Sequence, residues 1–270
     1  MNANKALWEK GDFTRVADAM RQSGQELIDR IGVTSGEKLL DLGCGDGTTA
    51  LPAADRGADV LGVDIAANLV AAGNARAAAA GLHNLTFEEG DASDLAGIAD
   101  ARFDRVVTIF GAMFAPRPDD VAREMVRVTK AGGSITMGNW IPGDPTLVAQ
   151  ILKTSAAFTP PPPEGFVSPM TWGQEDHVRA RFAAAGIADV RCERDTFVFR
   201  HDGPPASFVD TFRDYYGPTM NAFAAARESG REDELRDELV TLFEAQNVSQ
   251  DPNRTEIPTT FLRVTAVKSS

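Results

Sequence analysis

The sequence contains little cysteine and histidine, with two residues of the first and three of the second among 270. Cys44 and Cys192 lie far apart along the chain, which argues against a disulfide framework and favours a reducing compartment. Soft metal ions are held by clustered cysteines and histidines, and the sequence has no such cluster. We therefore expect neither a metal site nor a disulfide scaffold.

Long apolar runs and basic stretches are also missing. No run approaches the ~20 apolar residues that span a bilayer, and Met1 to Lys10 lacks the apolar centre of a signal peptide. The 27 basic and 39 acidic side chains give a formal net charge of −12, which repels the phosphate backbone of a nucleic acid. We therefore expect a cytoplasmic protein with no membrane segment and no nucleic-acid partner, while a monomer and a homodimer both stay open.

Strand-like apolar runs alternate with helical patterns over the first half of the chain. After a predicted helix at 12–31, strands are predicted at 38–42, 58–63, 85–89, 103–110 and 134–139, with helices at 48–56, 66–80, 94–99 and 119–129. This alternation predicts a parallel sheet with helices on both faces. Hydrophobic residues make up 43% of the chain and charged residues 24%, as in ordinary globular proteins.

The pattern changes after Trp140. Helices are predicted at 146–158 and 175–185, a strand-rich stretch at 187–200 and a last strand at 259–267. Between the last two strands, residues 206–248 have a helical pattern that is broken near Gly217-Pro218 and Ser229-Gly230. We expect the insertion at 204–253 to form a helical cap over the functional site.

The most informative stretch runs from Lys38 to Gly47. A short apolar strand is followed at once by glycines on alternate positions, Gly43, Gly45 and Gly47. Glycines let the backbone turn sharply and let a ligand approach without a Cβ atom in the way. The second strand ends in Asp64, about 20 residues further on, where nucleotide-binding folds place a carboxylate on ribose hydroxyls.

The glycine spacing argues against a dinucleotide cofactor. The dinucleotide pattern G-x-G-x-x-G would place its third glycine at Thr48, but the third glycine here is Gly47. Asp46, inside the loop, should also repel a pyrophosphate. A ligand with an amino group and a sulfonium is therefore favoured, and a nicotinamide-dependent oxidoreductase is disfavoured.

At this point Asp41-Leu-Gly-Cys-Gly-Asp-Gly47 resembles the first motif of the class I S-adenosylmethionine-dependent methyltransferases, an acid followed by x-G-x-G-x-G. The resemblance covers roughly Trp8 to Trp140, and the core is similar to the group that includes ubiquinone and menaquinone biosynthesis enzymes. It implies a Rossmann-like, seven-stranded, mostly parallel sheet with helices on both faces and an antiparallel strand near one edge. It also implies S-adenosylmethionine as cofactor and S-adenosylhomocysteine as product.

The resemblance further implies which residues contact the cofactor. Asp41 would reach the methionine amino end, Asp64 the ribose diol, and Asp91 the adenine amino group. The full set expected to bind the cofactor is Asp41, Gly43, Cys44, Gly45, Asp64, Ile65, Asp91, Ala92 and Phe110. Cys44 is expected to act as a small packing residue of the loop. For Phe110, a purely structural role in the core is the alternative to a cofactor contact.

We expect one methyltransferase domain. Its core would comprise about 33–140, 171–201 and 255–268, its N-terminal lid 1–32, and its cap segments about 141–170 and 204–253. Trp8 and Phe13 in the lid are expected over the cofactor, although both could simply attach the first helix to the core. Met113 and Trp140, which follow strands four and five, are expected to form the wall of an apolar substrate pocket.

The expected reaction is methyl transfer to a small, partly apolar molecule by in-line displacement without metal. A protein base is needed only for a weakly acidic acceptor, and the candidates are His177, His201, Tyr215 and Tyr216. The tyrosine pair is the favoured substrate contact, and structural roles stay open for both histidines. The acceptor atom (oxygen, nitrogen or carbon) also stays open, as do a cofactor-binding protein without transferase activity and, less favoured, a macromolecular acceptor.

Overall fold

A computed structural model describes residues 3–270 and contains one seven-stranded mixed sheet. Its strands are β1 Lys38–Leu42, β2 Asp59–Asp64, β3 Leu85–Glu89, β4 Phe103–Ile109, β5 Thr129–Trp140, β6 Asp189–His201 and β7 Thr255–Val267. The spatial order is β3-β2-β1-β4-β5-β7-β6, and β7 is antiparallel to both of its neighbours. This topology confirms the predicted Rossmann-like fold with its antiparallel strand near one edge.

Eleven helices are found in the described residues. They are α1 Ala3–Glu9, α2 Thr14–Ala17, α3 Arg21–Ile31, α4 Ala50–Asp55, α5 Ala67–Ala79, α6 Pro118–Val128, α7 Leu147–Ala156, α8 Glu175–Ala184, α9 Pro205–Tyr215, α10 Gly217–Glu228 and α11 Glu232–Gln246. Shorter 3₁₀ turns occupy Asp18–Met20, Ala112–Phe114 and Pro169–Gly173. None of the helices in this part of the chain is long and apolar enough to cross a membrane.

Local sequence explains where these elements begin and end. Helix α6 has Pro118 in its first turn, where the missing N–H group is not needed. The carboxylates of Asp119 and Asp120 in the same turn lie at the positive end of the helix dipole, which stabilises the helix. Helix α3 ends at Gly32, whose φ of 67° is the left-handed conformation that glycine adopts easily. The central strand β1 is buried at every position after Lys38, as expected for a parallel sheet covered on both faces.

Four predicted elements differ from the structure. Residues 94–99 form turns instead of a helix. The Ile98 amide closes a single turn on the Leu95 carbonyl oxygen at 2.8 Å, and Arg127 holds the segment by donating to the carbonyl oxygens of Leu95 and Ile98 at 2.8 Å each. Strands β5 and β7 begin earlier than predicted, at Thr129 and Thr255. The predicted helix at 12–31 is divided by the 3₁₀ turn Asp18–Met20.

The helices of the second half pack beside one another. Helices α10 and α11 contact each other and both contact α7 and α9, and α7 also contacts β7. The predicted breaks near residues 217 and 230 fall where α9, α10 and α11 meet. These four helices are called the cap helices. The N-terminal helix α1 contacts both α5 of the sheet layer and α10 of the cap helices.

Candidate active site

A large cavity lies at the carboxyl ends of the parallel strands. It encloses about 1150 Å³ when the space open to solvent is included. One half is lined by the glycine loop and the ends of β2 and β3, and the other half is lined mainly by aromatic rings. The cavity therefore has two chemically distinct halves.

The glycine loop after β1 crosses the end of β4 at very short range. Gly43 has a φ of 68°, and a Cβ atom there would lie 2.7 Å from Gly111 Cα. A Cβ atom on Gly111 would lie 2.2 Å from the Gly43 carbonyl oxygen. Both positions therefore require glycine. The loop is further fixed by the Gly43 amide, which donates to the Val63 carbonyl oxygen at 2.7 Å.

Asp64 at the end of β2 fixes the glycine loop by a hydrogen bond. It is 9% exposed and accepts hydrogen bonds from the Gly45 amide at 2.8 Å and the Ala66 amide at 2.9 Å. Burial raises the pKa of Asp64, against the opposing effect of these amides. Each carboxylate oxygen keeps a second acceptor position, and both Asp64 and its neighbour Ile65 line the cavity.

Asp41 lies deeper than Asp64. It is 1% exposed, does not line the cavity, and accepts a hydrogen bond of 2.5 Å from the Thr49 hydroxyl, which does line it. Burial, reinforced by the nearby charge of Asp64 and opposed by the Thr49 hydrogen bond, raises the pKa of Asp41 to about 7. Any effect of Asp41 on a ligand is therefore transmitted through Thr49.

The loop acid Asp46 has a different role from the one predicted. Its side chain is 2% exposed, and the Arg21 guanidinium donates to both of its carboxylate oxygens, at 2.7 and 2.5 Å. Arg76 donates to the Asp46 carbonyl oxygen at 2.6 Å. The charge of Asp46 is thus compensated inside the protein, which removes the argument that it repels a pyrophosphate. The glycine spacing still opposes a dinucleotide.

At the end of β3, Asp91 and Ala92 also line the cavity. The Asp91 carboxylate accepts from the Ser93 amide at 2.9 Å and from the Ser93 hydroxyl at 2.6 Å. On the other side of the loop, Phe110 has an unusual φ of 58° and stacks on Trp140 with ring centroids 3.6 Å apart. Both rings of this stacked pair line the cavity.

Aromatic rings from five distant parts of the chain surround the second half. Trp8 contacts Phe114 and Tyr216 at centroid distances of 5.1 and 6.0 Å, and Phe13 contacts Trp8 at 5.8 Å. The rings that line the cavity are Trp8, Phe13, Phe110, Phe114, Trp140, Phe197, Phe199, Phe212 and Tyr216. Phe114, Phe197, Phe199 and Phe212 had no local sequence signal, since the tertiary fold alone brings them here.

The other predicted catalytic and pocket residues lie outside this cavity. His177 is exposed on α8, and Tyr215 is half-buried next to Tyr216 without lining the cavity. His201 stacks on Phe208, bonds with the Ser207 hydroxyl through Nε2 at 3.0 Å, and has a pKa lowered by burial. Met113 is 1% exposed in the core, because the turn Ala112–Phe114 directs Phe114 to the cavity instead. Of the four candidate bases, only Tyr216 lines the cavity.

Comparison with known proteins identifies the family. Residues 39–133 match a family model described as a methyltransferase domain, and this span carries β1 to β4 and the cavity's glycine loop. The chain belongs to the class I S-adenosylmethionine-dependent methyltransferases.

This methyltransferase has relatives over most of its length. It is 34% identical over 227 residues to an uncharacterised protein of Mycobacterium tuberculosis, covering 84% of this chain and 81% of that protein. It is 30% identical over 176 residues to the demethylmenaquinone methyltransferase of Paenarthrobacter aurescens, covering 61% of this chain and 67% of the relative.

The fold is also that of solved methyltransferases. The structure of phosphoethanolamine N-methyltransferase 2 of Haemonchus contortus, in complex with phosphomonomethylethanolamine and S-adenosylhomocysteine, matches with a TM-score of 0.62 at 16% identity. The match covers 100% of this chain and 61% of that one, and at this identity it shows the fold alone. As a member of this family, the methyltransferase uses S-adenosylmethionine as cofactor.

Cofactor affinity should depend on pH through Asp41. The bound cofactor carries an ammonium and a sulfonium, which favour the ionised carboxylate, so binding below the pKa of about 7 must displace a proton. We expect the dissociation constant for S-adenosylmethionine to be flat above that pH and to rise by up to about tenfold per pH unit below it. Calorimetric titrations between pH 5.5 and 8.5 measure this, with Asp41→Asn expected to flatten the profile. Equal slopes of the dissociation constant against pH in the wild type and in Asp41→Asn would contradict the assignment of the pH dependence to Asp41.

Proposed function

We propose that this methyltransferase transfers the methyl group of S-adenosylmethionine to a small, partly apolar molecule by in-line displacement, without a metal. The observation that carries the proposal is the single cavity, in which the polar end around Asp64 continues directly into a space lined by aromatic rings. The cofactor, when bound, supplies a methyl group already activated by the sulfonium. The chain's own residues therefore need mainly to position the acceptor and to exclude water.

The polar half fits the cofactor by its chemistry. Asp64 offers acceptor positions for two ribose hydroxyls, and Gly45 leaves open space where another residue would carry a Cβ atom. We assign Ile65 to the adenine face, and Asp91 and Ala92 to the polar edge of adenine. Asp41 would act on the methionine amino group through Thr49, which lines the cavity and donates its hydroxyl to the Asp41 carboxylate.

The N-terminal segment supports the exclusion of water. Lys5 forms an ion pair with Glu89 at the end of β3, and Glu9 accepts a hydrogen bond of 3.0 Å from the Ala67 amide of α5. On the opposite side, Leu7 packs so closely on α10 that a Cβ atom on Gly217 would lie 2.6 Å from its carbonyl oxygen. We therefore propose that α1 is the lid over the cavity and that the four cap helices enclose its far side.

Among the described residues, the ionisable side chains that line the cavity are either kept protonated by burial or engaged by hydrogen bonds and ion pairs. Burial raises the pKa of the Cys44 thiol and of the Tyr216 phenol, so both stay protonated. Asp46 is paired with Arg21, while Asp64 and Asp91 accept hydrogen bonds from the protein. These raised pKa values, hydrogen bonds and the ion pair support an acceptor whose attacking atom is nucleophilic without help from the protein. That atom can be oxygen, nitrogen or carbon.

The covered cavity and the free cysteines also support proposals about the partners and the location of the protein. A macromolecular acceptor would have to reach a site covered by α1 and the cap helices, so the proposal is confined to small molecules. Both cysteines, Cys44 and Cys192, are free thiols, which supports the proposal that the protein works in the reducing cytoplasm.

Parallel calorimetric titration with S-adenosylmethionine, S-adenosylhomocysteine and NADH tests the proposal, followed by transfer of a labelled methyl group to a panel of small apolar acceptors. We expect micromolar binding of the first two, none of NADH, and label in at least one acceptor. Cofactor binding with no transfer to any small molecule would favour a cofactor-binding protein without transferase activity. NADH binding would contradict the proposal outright.

A further inference from the structure

Tyr216 brings a phenol hydroxyl to the aromatic half of the cavity. The residue is 5% exposed and lines the cavity. Its hydroxyl forms no hydrogen bond with the described residues and is not sealed inside the core, so it is open to a molecule in the cavity. Polar groups at the wall of a mostly apolar pocket orient the ligand that binds there.

The surroundings hold the Tyr216 ring in this position. Its amide donates to the Phe212 carbonyl oxygen at 3.1 Å, and its own carbonyl oxygen accepts from the Met220 amide at 2.8 Å, which fixes the junction of α9 and α10. The ring contacts Phe212, Trp8 and Phe13 at centroid distances of 5.4, 6.0 and 6.1 Å. The hydroxyl is thus held in place before any ligand arrives.

The aromatic half offers an acceptor few other polar groups. The Trp8 indole N–H already donates to the Asn4 side-chain oxygen at 3.2 Å. The other rings of this half are phenylalanines and Trp140, and no Lys, Arg, His or Glu lines the cavity among the described residues. Anionic acceptors would find no counter-ion beside these rings, whereas an uncharged oxygen would find neutral donors, the Tyr216 phenol and the indole N–H of Trp140.

We propose that Tyr216 determines acceptor specificity by donating a hydrogen bond to an uncharged oxygen of an otherwise apolar acceptor. This inference rests on the proposed function, since it deepens the description of the same acceptor site. The phenol is suited to the role because its raised pKa keeps it in the neutral, donating form. The surrounding rings would hold the apolar part of the acceptor, and the hydrogen bond would select molecules with oxygen at the right place.

Two probes of the same shape test the inference: 1-indanone, which has a carbonyl oxygen, and indane, which does not. Their dissociation constants are measured by ligand-observed NMR, with and without saturating S-adenosylhomocysteine, for the wild type, Tyr216→Phe and Tyr215→Phe. We expect Tyr216→Phe to bind 1-indanone about threefold to tenfold more weakly, which is the effect of one neutral hydrogen bond. Indane should bind both proteins equally, and Tyr215→Phe, next in sequence but outside the cavity lining, should behave as the wild type.

Several outcomes would overturn the inference. They are equal losses for both probes, an unchanged affinity for 1-indanone, no binding of either probe to the wild type, and tighter binding of phenyltrimethylammonium than of 1-indanone. A thermal melt of each variant separates a local effect from unfolding. If S-adenosylhomocysteine fails to bind the wild type, the proposed function fails, and the probe pair without it still reports on Tyr216.

Discussion

Replacing Asp64 with asparagine is expected to weaken S-adenosylmethionine binding by about 1.5–3 kcal/mol, or roughly tenfold to 150-fold. The carboxylate lies at the end of β2, is almost fully buried and keeps acceptor positions toward the cavity. Asparagine keeps the shape of the side chain but replaces one acceptor oxygen with an NH₂ donor. That donor would face the Gly45 or Ala66 amide, or a ribose hydroxyl.

Calorimetry on the wild type and the variant measures this loss. Asp59→Asn is the matched control, because Asp59 is an exposed acid at the opposite end of the same strand. The control should bind the cofactor as the wild type does. An unchanged affinity in Asp64→Asn would remove Asp64 from the cofactor site.

Replacing Gly111 with alanine should almost abolish cofactor binding and lower the free energy of unfolding by about 1–3 kcal/mol. The new Cβ atom would lie 2.2 Å from the Gly43 carbonyl oxygen and 2.8 Å from Gly43 Cα. Both are backbone atoms of the glycine loop, so the clash cannot be relieved by rotating a side chain. The loop must move away from β4, and the wall of the cavity that it forms moves with it.

Urea denaturation and calorimetric titration of the same preparation separate the two effects. Gly97→Ala is the control, since a Cβ atom there meets nothing within 4 Å. It should leave both stability and affinity unchanged. A Gly111→Ala protein with wild-type affinity would show that the loop does not need its close approach to β4.

The sheet was predictable because its signals are local. Apolar runs and the turns that close them lie within a few residues of each other, so β1 to β5 could be placed from the sequence. The helix predicted at 94–99 was wrong because a side chain far along the chain, Arg127, binds the carbonyl oxygens of the segment. Propensity alone carries no information about such a partner.

The two halves of the cavity also differ in how far the sequence predicts them. The polar half follows from short motifs, Gly43 to Gly47 and the acids that end neighbouring strands. The role of Asp46 was missed because its partner Arg21 is on α3, 25 residues earlier in the chain, and Arg21 has no motif of its own. The aromatic half is assembled from rings between Trp8 and Tyr216, and only the packed structure shows which phenylalanines face inward.

The helix α1 has a consequence for the timing of the reaction. On the proposal that α1 is the lid, donor and acceptor share one exit, and neither product leaves while the helix is docked. The ion pair of Lys5 with Glu89 lies at the surface, where water screens it. The packing of Trp8 on Phe13, Phe114 and Tyr216 would then oppose opening, and we expect the residence time of the spent cofactor to depend on it.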